Sequence, residues 1–165
     1  MLLDNKSHQF LSFTLSDEVF AVNVQQVSEI LDVIKITHVP QMPDYMLGVI
    51  NLRGNVVPVI DLRTKFGMER RAANSENCII VLEVDFGGEV VVIGVLTDAV
   101  REVLNLSTEQ IEPPPRMGMK LKSEFICGMG KQGEDFIILL DIDRIFSSDE
   151  INLFHESSHA EESAV

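Results

Sequence analysis

The chain of 165 residues is 45% hydrophobic, which is enough for one compact domain or for two very small units that share a core. Its formal net charge of -13 opposes binding to nucleic acid and to anionic membrane surfaces. No apolar run approaches the roughly 18 residues that span a bilayer, and the start Met1-Leu2-Leu3-Asp4 lacks the basic segment of a signal peptide, so we expect a cytoplasmic protein without direct membrane insertion.

The first predicted element is a β-hairpin near the start of the chain. Phe10 to Leu15 and Val19 to Val24 have the composition of strands, and Ser16-Asp17-Glu18 between them is a turn sequence. The spacing of the apolar residues then lengthens, which predicts a short amphipathic helix or helical turn with Glu29 on its polar side. The apolar positions of that helix are Val24, Val27, Ile30 and Leu31.

A second hairpin is predicted between Gly48 and Asp61. Two β-branched runs, Val49 to Arg53 and Val56 to Ile60, flank Gly54-Asn55, and such a pair in this context is typical of a tight turn. Because proline cannot donate a ladder hydrogen bond, Pro58 predicts that the second strand lies at a sheet edge or carries a bulge. We assign structural roles in this hairpin to Gly48, Gly54, Asn55 and Pro58.

The same order of elements begins again at Cys78. A strand from Ile79 to Val84, a turn at Phe86-Gly87-Gly88 and a strand from Val90 to Leu96 repeat the first hairpin. Val27-Ser-Glu-Ile-Leu then corresponds to Val100-Arg-Glu-Val-Leu. Further along, the matched residues are Gly48 with Gly128, Asp61 with Asp141 and Phe66 with Phe146. The sequence therefore contains an internal repeat.

The repeat determines the predicted fold. Each copy, about residues 8–70 and 77–147, is too small to bury a generous core alone, so the two copies should pack on each other, with strand exchange left open. Small all-β units tend to close into barrels, because closure removes exposed edges. We predict an all-β fold with a few short helices, in which two pseudo-repeated five-stranded SH3-like β-barrels pack around a shared hydrophobic core.

The last segment, residues 148–165, is predicted to hold a short helix and a tail. Ser147 and Glu150 have the spacing of a capping box, and Ile151, Leu153 and Phe154 follow them. The Ser/Glu/Ala-rich sequence beyond the helix predicts a disordered acidic tail.

Within that tail, His155-Glu-Ser-Ser-His159 matches the His-Glu-x-x-His pattern, in which two histidines one turn apart bind zinc and the glutamate activates water. Here no apolar periodic face would hold such a helix in a cleft, and no third ligand is obvious. Cys78 and Cys127 lie in apolar contexts and are predicted to be buried, reduced thiols. We therefore expect no metal site and no zinc hydrolase activity.

Gly128-Met-Gly-Lys-Gln-Gly133 matches the Gly-x-Gly-x-x-Gly pattern of dinucleotide sites, which requires a helix directly after the glycines. A β-like run from Asp135 to Ile142 follows instead, and the repeat aligns these glycines with the turn after Arg53. We predict a hairpin loop and no nucleotide cofactor. No combination of nucleophile, base and orienting group stands out elsewhere, so the sequence does not indicate an enzyme.

The central hairpin resembles the CheW family of chemotaxis coupling proteins, which carries a Gly-Val-x-Asn-Leu-Arg-Gly-x-x-x-Pro-Val-x-Asp-Leu run. The resemblance covers almost the whole chain, since Phe20 to Ile30, the prolines at 113–115, Gly128 and Leu139 to Ile142 fall where the family has them. One departure is Thr97, where the family usually has valine.

This resemblance implies a non-enzymatic adapter in which residues 1–147 form one CheW-like module. It implies that the adapter links the cytoplasmic tips of chemoreceptors, the methyl-accepting chemotaxis proteins, to the regulatory domain of the histidine kinase CheA, and that it is recruited to membrane-associated receptor arrays. The same module occurs within CheA and in CheV-type proteins. The sequence has no kinase segment and no acidic receiver, which favours a free-standing coupling protein over a CheV-like adapter.

The resemblance also implies site residues. Four positions match those that the family uses in receptor coupling: Val27, Glu29, Ile30 and Arg53. Two positions match a loop that contacts the related domain of the kinase: Arg116 and Met117. The residues themselves leave alternatives open, because the two charged side chains could equally be solvated or pair with each other, the two apolar ones could belong to the core, and the loop could simply be exposed.

Overall fold

Within the part of the chain that the structure describes, the backbone forms two β-sheets with a few short helices. The computed structural model describes residues 8–69, 74–114, 123–147 and 149–154, and within them no helix is long and apolar enough to cross a membrane. The strands are β1 (His8–Leu15), β2 (Glu18–Asn23), β3 (Val27–Asp32), β4 (Met46–Leu52), β5 (Asn55–Asp61), β6 (Cys78–Phe86), β7 (Glu89–Thr97), β8 (Ala99–Leu106), β9 (Ile111–Glu112), β10 (Ile126–Gln132) and β11 (Asp135–Leu140). The α-helices are α1 (Leu62–Lys65), α2 (Ile142–Ile145) and α3 (residues 149–154), and short 3-10 helices lie at Val24–Gln26, Thr108–Gln110 and Ser123–Phe125.

The hairpins are built on two-residue turns with left-handed backbone. The φ angles are 50° and 71° at Ser16 and Asp17, and 52° and 85° at Arg53 and Gly54. Positive φ at both central residues defines the type I′ turn, whose twist matches that of the paired strands. The predicted hairpins are confirmed, with one change of register, because the second turn is Arg53-Gly54 and Asn55 already belongs to β5.

The strands of the two sequence copies are interleaved. The six-stranded sheet has the order β8-β1-β2-β11-β10-β9, and the five-stranded sheet has the order β3-β6-β7-β5-β4. The first hairpin of each copy therefore joins the later strands of the other copy, through parallel pairing of β2 with β11 and of β7 with β5. Each sheet is thus assembled from both halves of the chain.

Among the described residues, buried apolar side chains form three clusters. One lies in the six-stranded sheet around Phe10 and Leu139, and one lies in the five-stranded sheet around Val59 and Ile79. The largest, which we call the central cluster, takes residues from both sheets and includes Phe13, Leu15, Phe20, Ile80, Leu82 and Ile93. This central cluster confirms the shared hydrophobic core that was predicted for the SH3-like fold.

The prediction of an amphipathic helix after β2 holds for a single 3-10 turn, Val24–Gln26. It is wrong from Val27 onwards, where the chain forms strand β3. The pairing of β3 with β6 skips one residue, so that Val27 faces Leu82 while Glu29 faces the adjacent Val81. This β-bulge brings Val27 and Ile30 to the same face at an interval of three residues. The bulge therefore gives the apolar residues of this strand the sequence spacing that is typical of a helix.

Pro58 lies in a strand that has neighbours on both sides, so the expectation of a sheet edge is wrong. Parallel pairing with β7 begins at Val59, one residue after the proline, so the missing donor falls beyond the end of that ladder. The bulge lies in the partner strand β4, between Met46 and Gly48.

Gly48 lies inside β4 rather than at a turn. Thr37 exchanges two backbone hydrogen bonds of 2.8 Å with Val49, which joins the segment after β3 to the far edge of the sheet. A Cβ atom at Gly48 would lie 2.1 Å from the Thr37 carbonyl oxygen, and φ is 147°, so only glycine fits this crossing. Gly128 has the equivalent place in the second copy, 2.6 Å from the Ile111 side chain by the same measure.

Arg63 is buried between two carboxylates. Its Nε lies 3.2 Å from Asp61 Oδ1, and its Nη1 lies 2.6 Å from Asp98 Oδ1. The other oxygen of Asp98 accepts a 2.6 Å hydrogen bond from the Ser16 backbone N–H. Because Arg63 follows β5 and Ser16 follows β1, this ion network ties the two sheets together.

Helix α3 begins with the predicted capping box. The Ser147 N–H donates to Glu150 Oε1 at 3.0 Å, and the Glu150 N–H donates to Ser147 Oγ at 3.2 Å. Ile151 and Phe154 are 2% and 0% exposed and belong to the central cluster. The helix, which lies beyond the proposed module of residues 1–147, thus contributes to the core, and the tail from residue 155 lies outside the described residues.

Glu150 also anchors α3 to the five-stranded sheet. Its Oε2 accepts hydrogen bonds from the Lys65 ammonium and from the Tyr45 hydroxyl. Burial acts to raise the pKa of Glu150, but the hydrogen bonds from Lys65, Ser147 and Tyr45 outweigh it and hold the pKa below its ordinary value of 4.5. A lowered folded-state pKa stabilises the fold above the unfolded pKa, and this contribution is lost as the pH falls through the folded pKa.

We therefore expect Glu150→Gln to lower the free energy of unfolding at pH 7 by about 1 kcal/mol, since the carboxylate is only partly shielded from solvent. The difference from the parent chain should shrink as the pH is lowered below 4.5. Urea denaturation at a series of pH values measures both quantities. A loss of equal size at every pH would show that the charge of Glu150 is not responsible.

Candidate protein-binding surface

Strand β3 at the edge of the five-stranded sheet carries three of the predicted site residues. Val27 is half-buried and packs against the central cluster, whereas Ile30 is 45% exposed. Beyond the strand, Val33 and Ile34 are 45% and 40% exposed. The edge of this sheet therefore presents apolar side chains to solvent, which a binding partner could cover.

Arg53 is the first residue of the β4–β5 turn. The Gly54 N–H donates a 2.9 Å hydrogen bond to Asn51 Oδ1, which fixes the turn. The Arg53 side chain is 71% exposed. The hairpin thus holds a guanidinium group in solvent at a defined position.

Glu29 and Arg53 form an ion pair between β3 and the hairpin. Arg53 Nη2 donates to Glu29 Oε2 at 2.5 Å, and this hydrogen bond raises the pKa of Arg53 above its ordinary value. The second oxygen, Glu29 Oε1, is buried and accepts no hydrogen bond from any described residue. The pair therefore leaves exposed donors on Arg53, which a polar partner group could satisfy.

A second set of residues, which the sequence analysis did not assign to a site, occupies the equivalent positions on β8. The equivalents of Val27, Glu29 and Ile30 are Val100, Glu102 and Val103. A bulge in the pairing of β8 with β1 again places the two valines on one face, and Val103 is 49% exposed. Gly133 occupies the position that corresponds to Arg53, so this copy lacks the ion pair. The repeated Val-x-Glu pattern in the sequence could have identified these residues on β8.

The structure brings the four predicted receptor-contact residues together. Glu29 and Arg53 are in contact, and Val27 and Ile30 share a strand with Glu29. The two predicted kinase-contact residues, Arg116 and Met117, lie outside the described residues.

Both cysteines are free thiols, as predicted, but they are half-buried rather than fully buried. Burial raises the pKa of Cys127 to about 11 and also raises the pKa of Cys78. Thr97, the departure from the family sequence, donates a 3.2 Å hydrogen bond from Oγ1 to the Cys78 carbonyl. In the described ranges no three His, Cys, Asp or Glu side chains cluster as metal ligands, and the His155–His159 motif falls outside these ranges.

The glycine motif from Gly128 to Gly133 lies in β10 and the turn that follows it. Gln132 pairs with Asp135 across this turn, where Gly133 has a φ of 65°. The prediction of a hairpin loop is confirmed, and a strand follows the motif instead of the helix that phosphate binding requires.

The fold and the surface together define a small β-protein of the binding-module class, with an exposed ion pair beside exposed apolar side chains. Comparison with known proteins agrees with this class. Residues 9–150 match the model of the CheW-like domain family. The chain belongs to this family.

Individual relatives cover most of the chain. It is 40% identical to the chemotaxis protein CheW of Klebsiella aerogenes over 145 residues, which are 88% of this chain and 85% of that protein. It is 35% identical to the probable chemotaxis protein CheW of Rhizobium etli, across 90% of this chain and 93% of that protein. The crystal structure of the scaffolding protein TtCheW from Thermoanaerobacter tengcongensis matches with a TM-score of 0.78 and 30% identity, across 87% of this chain and 90% of that one. The chain is accordingly a chemotaxis protein and not an enzyme.

Proposed function

We propose that this chain is an adapter that couples the cytoplasmic tips of chemoreceptors to the histidine kinase CheA. In this proposal the protein works in the cytoplasm and is recruited to membrane-associated receptor arrays. The receptor contacts β3 and the β4–β5 turn through Val27, Glu29, Ile30 and Arg53. The kinase contacts the segment that contains Arg116 and Met117.

The observation that carries the proposal is the Glu29–Arg53 pair beside the exposed Ile30. An ion pair that served stability alone would gain little at a position where Arg53 is 71% exposed. A partly satisfied pair at the rim of an apolar strip instead supplies charge complementarity, which sets the orientation and specificity of a helical partner. Membership in the CheW-like domain family supports the choice of partners.

Charge reversal separates partner contact from internal pairing. We expect Glu29→Arg and Arg53→Glu each to weaken binding of a receptor cytoplasmic fragment by about tenfold or more, because like charges would then face each other across the interface. The double swap should restore the internal pair but little of the receptor binding. Titration of the fragment against the purified chain, with CheA binding measured in parallel, gives these values.

The second copy offers a matched control. Lys131 and Glu112 form an exposed 2.6 Å ion pair on β10 and β9, and Lys131→Glu should leave receptor affinity unchanged. Thermal unfolding of each variant checks that the fold persists. Full recovery of receptor binding in the double swap would mean that the Glu29–Arg53 pair is internal and that the apolar residues carry recognition.

A further inference from the structure

Two clefts on the surface are related by the internal repeat. One is lined by β3, the β4–β5 hairpin and β7, receives Phe154 of α3, and retains a volume of about 470 Å³. The other is lined by the equivalent elements β8, the β10–β11 hairpin and β2, and has a volume of about 1040 Å³. We call them the filled cleft and the open cleft.

Helix α3 borders the filled cleft through Phe154, so this cleft geometry accepts an aromatic side chain from a helix. Its Ile151 and Phe154 lie three residues apart on one face and are almost completely buried. At the same distance from the preceding repeat, the first copy has Arg71 and Asn74, and residues 69–77 contain no large apolar side chain. The first copy therefore has no large apolar side chain at the positions that correspond to Ile151 and Phe154 of α3.

Four large apolar side chains form part of the wall of the open cleft. Phe66, Met68 and Ile138 line it and are partly buried against the central cluster. Phe136 at the start of β11 also lines it and is 51% exposed. A phenylalanine held half in solvent beside three further apolar side chains is a feature of binding grooves.

The rim of the open cleft is strongly acidic. Its carboxylate residues are Asp17, Glu18, Glu69, Glu102 and Asp135, and the basic residue among those lining it is Arg101. A cationic occupant is therefore favoured, and an acidic one is repelled. The α3 segment of a second copy begins with Asp149 and Glu150, so the rim charge opposes its insertion.

We propose that the open cleft binds a short, basic amphipathic helix of a partner protein, whose two large apolar side chains lie three residues apart. The apolar pair packs on Phe66, Met68 and Phe136, as Phe154 of α3 packs at the filled cleft, and lysine or arginine side chains of the helix face the acidic rim. This surface shares no residue with the candidate receptor surface, so the inference does not depend on the proposed function.

The test uses the full chain and a labelled helical peptide with Ile and Phe three positions apart and lysines at the remaining exposed positions. We expect saturable binding by fluorescence anisotropy. Phe136→Ala should weaken it by about tenfold, because an exposed aromatic anchor is removed. Glu18→Lys combined with Asp135→Lys should also weaken it by about tenfold or more and reduce its salt dependence.

Three control variants should leave the affinity unchanged. Glu89→Lys alters the repeat equivalent of Glu18 beside the filled cleft, Val103→Ala removes a different exposed apolar side chain, and Arg53→Glu alters the candidate receptor surface. Thermal unfolding of the Phe136→Ala variant checks that it folds. The proposal is overturned if the peptide does not bind, if binding ignores Phe136 and the rim charges, or if an acidic peptide copying residues 147–154 binds as well, which would assign the cleft to a second copy.

Discussion

Residues 1–72 and residues 77–165, each expressed alone, are expected to show no cooperative thermal unfolding. Each sheet takes its strands from both halves of the chain, and the central cluster draws on both. The first fragment would retain β1 to β5. It would lose the neighbouring strands β8 and β11 in the six-stranded sheet, and β6 and β7 in the five-stranded sheet. Fragments of this size are already near the limit of independent stability.

Mixing provides the control for this experiment. Equal amounts of the two fragments should recover a cooperative transition, because the hairpins that the halves exchange within one chain can also be exchanged between two. Circular dichroism and calorimetry follow the transition. A cooperative transition in either fragment alone would show that one copy can close a sheet by itself.

The sequence predicted what depends on local chemistry. The hairpins follow from runs of β-branched residues and from turns that need positive φ, and both signals lie within about ten residues of the chain. Strand β3 was mistaken for a helix because its bulge turns a period of two into an interval of three between Val27 and Ile30. The interleaving of the strands from the two copies could not be predicted from the sequence. A strand pattern specifies which face of the strand is buried, but not the sheet to which the strand belongs.

The candidate site was predicted only in part for the same reason. Arg53 was found from its place at a hairpin and from the family resemblance, and its pairing with Glu29 was one of the alternatives. The burial of Glu29 Oε1 depends on the curvature of the sheet, and no sequence pattern predicts it. The acidic open cleft gathers residues from β2, β8, the end of α1 and β11, and no local pattern joins them.

The buried ion network around Arg63 could not be predicted from the internal repeat. Asp61 was matched with Asp141, but the residue that corresponds to Arg63 is Asp143, which has the opposite charge. Asp143 also reaches to the neighbouring sheet, where it accepts hydrogen bonds of 3.0 Å from the Asp85 N–H and 2.9 Å from Gln26 Nε2. Burial raises the pKa of Asp143 above its ordinary value. The two copies thus have opposite charges at one repeat position, and each side chain makes its own contacts near the junction of the two sheets.

We expect Arg63→Ala to lower the free energy of unfolding by about 3 to 5 kcal/mol, because it removes the guanidinium group that pairs with two buried carboxylates. Asp61 is 1% exposed, and the Asp98 side chain is 13% exposed, so solvent cannot replace the guanidinium. Arg63→Lys should recover only part of the loss, since a single ammonium cannot reproduce the fork that spans both acids. Urea denaturation at pH 7 measures each variant.

The second copy again supplies the control for Arg63. Arg144 lies 3.6 Å from Asp141, but its side chain is 67% exposed, so Arg144→Ala should cost no more than about 1 kcal/mol. In the Arg63→Ala chain, Asp98→Asn should restore part of the stability, because it removes one of the two negative charges that paired with the guanidinium, while the amide oxygen can still accept the hydrogen bond from Ser16. If Asp98→Asn instead adds its own full loss to that of Arg63→Ala, the arginine stabilises the fold by packing and not by charge.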